Sequence, residues 1–504
     1  MENKGKALIR PCLLLLFGLQ AGCAGLSPGQ SVPHVARIPQ AARPAGTTPE
    51  IQAASYQEPV SSLPVDGQTA ATLSQQPPAP PFADMSELSV DALVQQVLAR
   101  NPSLAQMVAA WQAASARYPQ VTSLEDPMFG ATVAPGSIGS NNVDFAGRLE
   151  ISQKLPYPGK LKLRGDNALA EASAARLDVD DMRLQLTESA RNAFYEYYLV
   201  ARALAVNKET RQRLDEFRAD AEALYKTPPR DRKISLQDVV QARVEIGRQE
   251  ERQLTLERMR EVAVARINTL MHLPTNSPLP PPPKQLKLAG PLADVEALQA
   301  TARAERPDLQ ALADRIAAEQ ASLTLAQKEF YPDFEVMAAY DAFWQPPQQA
   351  LQAQVGVRLN LPVRKARRYG AIAEAQAKIG QRQAELDKQI DQVNLQVQDA
   401  YAQVHESERI VRLYEKKVLP DAELNVKTAR ADYMTGQIPA ISVIEAERNR
   451  LNLYDRYYEA VADYFRRRAT LERVTGESLV PLPQTSAPGQ AGHYQSVVGD
   501  QKLK

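Results

Sequence analysis

The chain carries one ordered set of motifs twice, and the two copies are separated by 203 to 206 residues. The clearest pair is Asn101-Pro102-Ser103-Leu104 and Arg306-Pro307-Asp308-Leu309. Five matches in one order at nearly one spacing indicate a tandem duplication of about 200 residues per copy. The other matched pairs are Pro127 with Pro332, 155–156 with 361–362, 168–172 with 371–375, and 236–242 with 440–446.

Each copy has the same predicted order of elements: a helix, two strands, a long helix, a sharp turn and a returning helix. In the second copy, residues 305–330 are predicted to be helical. The last strand alternates cleanly, with Val355 and Val357 on one face and Gly356 and Arg358 on the other. The strands are predicted at about 128–134 and 143–154 in the first copy, and at about 333–343 and 352–361 in the second.

The long helices carry apolar residues at alternating steps of four and three, the spacing of a coiled-coil seam. One limb from Ala366 to Met434, with a kink expected at Pro420, is about 100 Å long at ~1.5 Å per residue. A single globular core cannot bury such a rod, so the helices need neighbours along their whole length. The seams are Leu186, Ala190, Ala193, Tyr197, Val200 and Leu204; Leu386, Ile390, Val393, Val397, Ala400, Val404, Ser407, Val411, Tyr414 and Val418; and Leu451, Tyr454, Tyr458, Val461 and Phe465.

Composition excludes several classes of function. The charge is balanced, with 59 Lys and Arg against 59 Asp and Glu, which gives no long-range attraction to nucleic acid. The only cysteines are Cys12 and Cys23, and the four histidines are scattered, so no histidine metal cage is expected. No common catalytic or phosphate-binding motif occurs, so we predict neither an enzyme nor a bound cofactor.

The first 22 residues are typical of a signal peptide. Basic residues between Lys4 and Arg10 precede a short apolar run at 13–19, which is too short to span a membrane. Small residues then lead to Cys23, a pattern that resembles a bacterial lipoprotein signal in which this cysteine becomes the lipidated first residue. The alternative is ordinary cleavage nearby, with Cys23 incidental.

Composition also divides the rest of the chain. Stretches rich in Pro, Ala, Ser and Gln at both ends are typical of flexible linkers. Pro280 to Pro283 cannot be helical and separate the two copies. The predicted domains are a signal peptide at 1–22, a flexible lipidated linker at 23–85, a first repeat at 86–273, a Pro-rich linker at 274–291, a second repeat at 292–481 and a flexible tail at 482–504.

The predicted strands raise a problem of closure. A tilted strand of about ten residues can cross a bilayer, but four strands alone leave two open edges, which lipid does not tolerate. Three chains together would share twelve strands in one closed barrel and would bury the helical seams side by side in a hollow cylinder. The alternative is a small soluble sheet that caps a coiled coil.

The ordered motifs resemble those of the TolC-like outer-membrane efflux family over residues 86–480. The resemblance implies a mainly α fold in which two tandem repeats give long coiled-coil helical hairpins, an α-barrel, and a trimer-shared 12-stranded membrane β-barrel. The start of the chain and the Tyr-Pro-Asp-Phe stretch at 331–334 resemble the heavy-metal-efflux branch of RND-type systems. The motifs that carry the resemblance are 101–104, 155–160, 306–309, 330–334, 359–362 and 433–436.

The resemblance further implies a passive duct that carries small molecules or metal ions outward, from the periplasm or from an inner-membrane pump. The expected partners are two further copies of the chain, a periplasmic adaptor, an RND-type pump and outer-membrane lipid. The expected location is the bacterial outer membrane, lipid-anchored through Cys23 and extending into the periplasm. The alternative function is a lipid-tethered periplasmic coiled-coil scaffold or adaptor, although an adaptor usually has one helical hairpin. The sequence does not name the cargo.

In the family, the turns at the ends of the helical hairpins meet the adaptor. The matching tips are Tyr225–Ile234 and Tyr433–Pro439. The second tip has Gly436, which suits a tight turn, whereas the first is longer, basic and without glycine. The alternative is a solvated turn with no partner. The candidate docking residues are Thr227, Pro228, Pro229, Arg230, Thr435, Gly436 and Gln437.

Family members often carry acidic residues just beyond the tips, where a ring of carboxylates admits cations and gates the entrance. The matching positions here are Asp238, Ser442 and Glu445. A ring of carboxylates on the pore axis concentrates cations through a focused potential. Ser442 stands where an acid is expected, so we favour Glu445. The alternative for Glu445 is an ordinary exposed helix charge.

An aromatic cluster and two basic clusters each allow two interpretations. For the aromatic cluster, packing between helices is favoured over a surface that stacks cargo. The basic clusters follow the strand pairs and either meet lipid headgroups or begin solvated helices. The aromatic cluster is Phe194, Tyr195, Tyr197 and Tyr198, and the basic clusters are Lys160, Lys162 and Arg164, and Arg364, Lys365, Arg367 and Arg368.

Overall fold

The computed structural model describes Phe82 and residues 85–138, 145–227, 235–344 and 353–476. Several predictions fall outside these residues. They concern the signal peptide, Cys23, nearly all of the N-terminal linker, the tail at 482–504, and the tip residues Pro228, Pro229 and Arg230.

The described residues form helices and strands in the order that the duplication predicts, because helix, two strands, long helix and returning helix occur twice. The first copy contains α1 (Val90–Arg100), α2 (Pro102–Ser115), α3 (Arg117–Thr122), β1 (Met128–Val133), β2 (Phe145–Leu155), α4 (Lys160–Lys226) and α5 (Leu236–Leu270). The second contains α6 (Val295–Glu305), α7 (Pro307–Lys328), β3 (Phe334–Phe343), β4 (Ala353–Leu359), α8 (Lys365–Leu413), α9 (Leu419–Thr435) and α10 (Ala440–Thr475).

Proline starts the second short helix of each copy. Asn101 is extended and its side chain accepts a hydrogen bond from the N–H of Ser103, which caps α2 at Pro102. In the second copy Arg306 is extended in the same way and Pro307 begins α7. The helix predicted over 305–330 is thus found at Pro307–Lys328. It is separated from α6 at Arg306, because the residue before a proline is driven out of the helical conformation.

The long helices have the predicted length. α4 has 67 residues and is therefore about 100 Å long. The matching limb of the second copy runs from Lys365 to Thr435 as α8, a π-helical segment at Tyr414–Val418, and α9. Pro420 lies in the first turn of α9, where its missing N–H costs little. The irregularity expected at Pro420 thus lies just ahead of it, where the π-helical turn adjusts the hydrogen bonding.

The predicted seams are the buried faces of the long helices. On α8, Val393 and Val397 are completely buried, whereas Leu386 and Ile390 are partly buried. The aromatic cluster of α4 is also buried, and the ring of Tyr195 stacks on Phe465 of α10 with centroids 5.2 Å apart. The packing interpretation of this cluster is confirmed, because buried rings cannot present a surface to cargo.

The four strands form one antiparallel sheet in the order β1-β2-β3-β4. β2 and β3 pair across the two copies, with Arg148 opposite Asp341 and Leu155 opposite Phe334. The sheet therefore joins the copies through its centre. Within the described residues, β1 and β4 are its edges and each pairs on one side alone.

The segment between the copies forms neither helix nor strand and lies against the helices. The carbonyl of Pro281 accepts a hydrogen bond of 2.9 Å from the N–H of Leu88, and that of Pro280 accepts one of 3.2 Å from the hydroxyl of Tyr197. This proline segment is thus held by α4 and by the residues that precede α1.

Candidate functional sites on the sheet and at the hairpin ends

One face of the sheet is apolar and exposed. Residues opposite each other on neighbouring strands share a face, so Phe129 lies beside Ile151 and Leu149 beside Tyr340. Val355 of β4 is 85% exposed. Soluble monomers rarely leave a continuous apolar surface of this kind uncovered. The face comprises Phe129, Val133, Leu149, Ile151, Phe334, Val336, Tyr340, Val355, Val357 and Leu359.

The opposite face of the sheet is polar and internally paired. The guanidinium of Arg148 donates two hydrogen bonds, of 2.6 and 3.0 Å, to the carboxylate of Asp341. The side-chain amide of Gln354 donates a third, of 2.7 Å, to the same carboxylate. Arg358 of β4 forms ion pairs with Glu150 at 3.2 Å and with Glu335. The strict alternation of the strands thus separates a lipid-compatible face from a charged one.

The junction between the sheet and α4 is built around Lys160. This side chain is fully buried, and its Nζ lies 2.9 Å from Oδ1 of Asp333 and 3.5 Å from Glu329. Asp333 also accepts a hydrogen bond of 2.8 Å from the N–H of Tyr157. Burial raises the pKa of Asp333, but the hydrogen bonds from Lys160 and Tyr157 outweigh it and bring the pKa below its ordinary value.

For Lys160, both interpretations of the basic cluster were wrong. The side chain neither faces lipid nor lies in solvent, because it is the internal counter-ion of Asp333. Lys162, Arg364 and Lys365 are exposed. Contact with lipid headgroups stays a prediction for these side chains.

The two hairpin ends pack against each other and form a small core of their own. Phe217 of α4 contacts Tyr433 of α9, with ring centroids 5.0 Å apart, and both side chains are buried. Val239 of α5 and Ile444 of α10 complete this core. Gly436 ends α9 with a φ of 84°, a left-handed conformation that suits glycine.

The described docking candidates, Thr227, Thr435, Gly436 and Gln437, are all exposed at these ends. Glu445 is exposed on α10, whereas Asp238 and Ser442 are half-buried in the first turns of α5 and α10. The described ends of the two hairpins thus share one core. A gate role for Asp238, Ser442 and Glu445 stays a prediction.

An ionic cluster that lies near the hairpin ends was not predicted from the sequence. Arg450 of α10 is 1% exposed, and its guanidinium donates to Glu423 of α9 at 2.6 Å and to Glu209 of α4 at 2.5 Å. Arg213 of α4 also donates to both carboxylates. A signal existed in the sequence, because Glu447 and Arg450 continue the spacing of the buried apolar residues of α10.

Residues 298–477, which cover most of the second repeat, match the family model for outer membrane efflux proteins. The match covers 180 of the 504 residues, from 298 to 477. No curated relative matches the sequence.

Solved outer-membrane channels have the same fold as this chain. The outer-membrane channel OprN is 18% identical, with a TM-score of 0.63 over 77% of this chain and 90% of its own. The outer membrane protein VceC from Vibrio cholerae is 18% identical, with a TM-score of 0.63 over 77% and 96%. The open state of the Neisseria gonorrhoeae channel MtrE is 16% identical, with a TM-score of 0.63 over 77% and 89%. These likenesses confirm the TolC-like fold.

In the described part of the chain, no helix combines the length and the apolar composition that crossing a membrane requires. Nor do three or more His, Cys, Asp or Glu side chains meet there in an arrangement that could hold a metal ion.

Proposed function

We propose that this protein is an outer-membrane efflux channel component, the passive, trimeric exit duct of a tripartite efflux system for small molecules or metal ions. The observation that carries the proposal is the sheet, which exposes an apolar face, pairs its charges on the other face and has two open edges. These three properties together are expected of a fragment of a membrane barrel.

The dimensions of the sheet support insertion in a bilayer. β3 has 10 residues and β2 has 11. Ten residues at ~3.3 Å each, tilted by about 40°, span about 25 Å, which is the height of the apolar band of outer-membrane barrels. The apolar face would then meet lipid, and Arg148, Asp341 and Arg358 would face the lumen.

The open edges support assembly as a trimer. The edges β1 and β4 present unpaired backbone groups, which cost several kcal/mol each in lipid. Pairing β4 of one chain with β1 of the next in a ring of three closes twelve strands. The same arrangement places the long helices side by side, where the exposed Leu236, Val240 and Val244 of α5 can be covered by a neighbouring chain.

The helical hairpins would extend into the periplasm, with their ends farthest from the sheet. The exposed tip residues Thr227, Thr435, Gly436 and Gln437 would meet a periplasmic adaptor, together with Pro228, Pro229 and Arg230. The adaptor would in turn connect the duct to an inner-membrane RND-type pump of the heavy-metal-efflux kind. The duct itself would supply no energy.

A lipid on Cys23 would add a second anchor. This cysteine follows a complete signal-peptide pattern in the sequence. The lipid would hold the N-terminus at the inner leaflet and would reinforce the anchoring by the inserted barrel.

The first test is the mass of the detergent-extracted protein together with its conductance in a planar bilayer. A particle of three chains, each of 55.5 kDa before processing, that conducts ions would support the duct. A monomer that is extracted without detergent and never conducts would contradict the barrel.

The variant Cys23→Ala distinguishes the proposed duct from the alternative, a lipid-tethered scaffold. A scaffold without a barrel leaves the membrane fraction when its lipid is lost. A duct stays in that fraction, because its strands remain inserted.

The gate role of Glu445 is tested by the variant Glu445→Gln, with Glu459→Gln as the matched control. Both carboxylates are exposed on α10, but Glu459 lies about 21 Å farther along the helix. A ring at the entrance predicts that only the first variant lowers the preference for cations over anions. Equal behaviour of the two variants would favour an ordinary helix charge.

A further inference from the structure

A buried carboxylate oxygen without a hydrogen-bond partner lies beside the ionic cluster of the hairpin ends. Glu447 of α10 is 5% exposed, and its Oε2 has no hydrogen bond. The nearest cationic atom is Nη1 of Arg450, at 3.9 Å from Oε2. This distance is too long for a hydrogen bond.

Arg450 is already engaged by other groups. Its Nε donates to Glu423 of α9, its Nη2 donates to Glu209 of α4, and its Nη1 lies 3.4 Å from the hydroxyl of Thr210. These contacts join three helices through one guanidinium. A move of Arg450 toward Glu447 would weaken the link between α4 and α9.

The charges around Glu447 do not balance. The carboxylates of Glu209, Glu423 and Glu447 face only two guanidinium groups, those of Arg213 and Arg450. An ionised Glu447 is therefore one negative charge in excess. A buried charge without a counter-ion is costly, and the usual outcome is that the group takes up a proton.

Of the remaining groups near Glu447, Lys427 is exposed to solvent, and Arg430 and Tyr454 are engaged by other carboxylates. A cavity of about 870 Å³ between α4 and α9 is lined by Glu447 and by further charged side chains. Arg430 is paired with Asp220 at 2.5 Å and with Glu216 at 3.1 Å. Tyr454 donates its hydroxyl to Glu423. The charged and titratable groups that face Glu447 or this cavity are Glu209, Arg213 and Glu216 of α4, Glu423, Lys427 and Arg430 of α9, and Arg450 and Tyr454 of α10.

We propose that Glu447 is a proton-binding site that couples pH to the contacts among α4, α9 and α10. When Glu447 is protonated, Arg450 stays on Glu423 and Glu209 and joins the three helices. When Glu447 is ionised, it competes for Arg450, and the contact between α4 and α9 loosens.

The direction of the pH effect follows from burial. Burial raises the pKa of Glu447, and the nearby Arg450 and Arg213 only partly oppose this shift. A group with a raised folded-state pKa stabilises the folded state fully below the unfolded pKa of about 4.3, and loses this contribution as the pH rises through the folded value. Acid therefore tightens the hairpin ends, and neutral or higher pH loosens them.

The test is the thermal unfolding temperature of the full-length, detergent-extracted protein, measured from about pH 5 to about pH 8. Gln is uncharged at every pH, so the variant Glu447→Gln imitates protonated Glu447 throughout this range. We expect a smaller fall in unfolding temperature with rising pH than in the unaltered protein, and a higher temperature at the upper end. Glu459→Gln, which removes an exposed carboxylate of the same helix, is the control and should keep the original profile.

A profile of Glu447→Gln that equals the original profile would overturn the proposal. If the variant does not assemble, the protonated carboxyl is observed directly in the unaltered protein. Its infrared C=O stretch should titrate at a pH above that of ordinary glutamic acid. The absence of any carboxyl that titrates there would also overturn the proposal.

Discussion

Replacing Lys160 with Met tests whether the junction between sheet and helices depends on a buried ion pair. Met has a similar length and can occupy the same space, but it cannot donate to Asp333. The change therefore removes the hydrogen bond of 2.9 Å and the contact of 3.5 Å to Glu329 while leaving the packing largely in place.

The expected cost follows from the surroundings of Asp333. A hydrogen bond to a charged group contributes about 1.5–3 kcal/mol. The side chain of Asp333 is 34% exposed and keeps its hydrogen bond from the N–H of Tyr157, so water and this N–H replace part of the loss. We therefore expect the free energy of unfolding to fall by about 1.5–2 kcal/mol, the lower half of that range.

The assay is denaturant unfolding of the detergent-extracted protein, arranged as a double-mutant cycle with Asp333→Asn. The coupling energy should be about 1–2 kcal/mol, because the two side chains are in direct contact. Lys162→Met is the matched control, since this lysine is exposed and lies two residues away in the same helix, and it should change stability by less than about 0.5 kcal/mol.

The pH dependence has a defined sign. Asp333 has a lowered pKa, so its contribution is present above the unfolded value of about 3.9 and is lost as the pH falls through its folded value. The difference between Lys160→Met and the unaltered protein should therefore shrink in strong acid. A coupling energy near zero, or equal effects of the changes at Lys160 and Lys162, would refute the ion pair. Either result would favour the earlier interpretations, in which Lys160 faces lipid or solvent.

Two further predictions concern the sheet and the hairpin end. Val355→Lys should reduce insertion into outer-membrane vesicles, because a lysine on the lipid face costs about 2–4 kcal/mol at mid-depth. Gln354→Lys, on the polar face of the same strand, should insert normally, and equal insertion of both variants would contradict the assigned faces. Gly436→Ala should lower the unfolding free energy by about 1 kcal/mol, since its φ is 84°. Gly370→Ala, inside α8 with open space around it, should instead be neutral or stabilising in the same unfolding assay.

The sequence predicts the fold well because periodicity is a local property. The steps of four and three on α8 mark Val393 and Val397 as buried, and the alternation on β4 separates Val355 from Gly356. Each pattern states which face of an element is covered, and a repeated order of such elements limits the architecture strongly. The break at Arg306 was the exception, where the conformation imposed by Pro307 outweighed the helical pattern.

The buried charges could not be predicted in the same way. Lysine, arginine and glutamate are mostly exposed, so each of these residues is expected on the surface unless its partner is known. The partner of Lys160 lies 173 residues away at Asp333, and one partner of Arg450 lies 241 residues away at Glu209. These pairs depend on how distant segments of the chain pack against each other, and a local sequence pattern does not give this packing.

Ion pairs between the returning helices also join the two copies. Arg252 of α5 contacts Asp455 of α10, and Glu245 of α5 contacts Arg448 of α10. Both pairs are separated by 203 residues, one residue less than the spacing of 204 between the starts of α5 and α10. Each partner is therefore a neighbour of the equivalent position, and the repeat spacing indicates approximately where the two helices meet.

Each of these contacts joins an acid of one copy to a base of the other. We expect Arg252→Asp alone to lower the unfolding free energy by about 1–3 kcal/mol, because it sets two aspartates against each other. Combining it with Asp455→Arg should restore most of the loss in the same unfolding assay. A swap that is as unstable as the single change would mean that these positions are fixed by their other neighbours, and not by the charge of the residue that each one contacts.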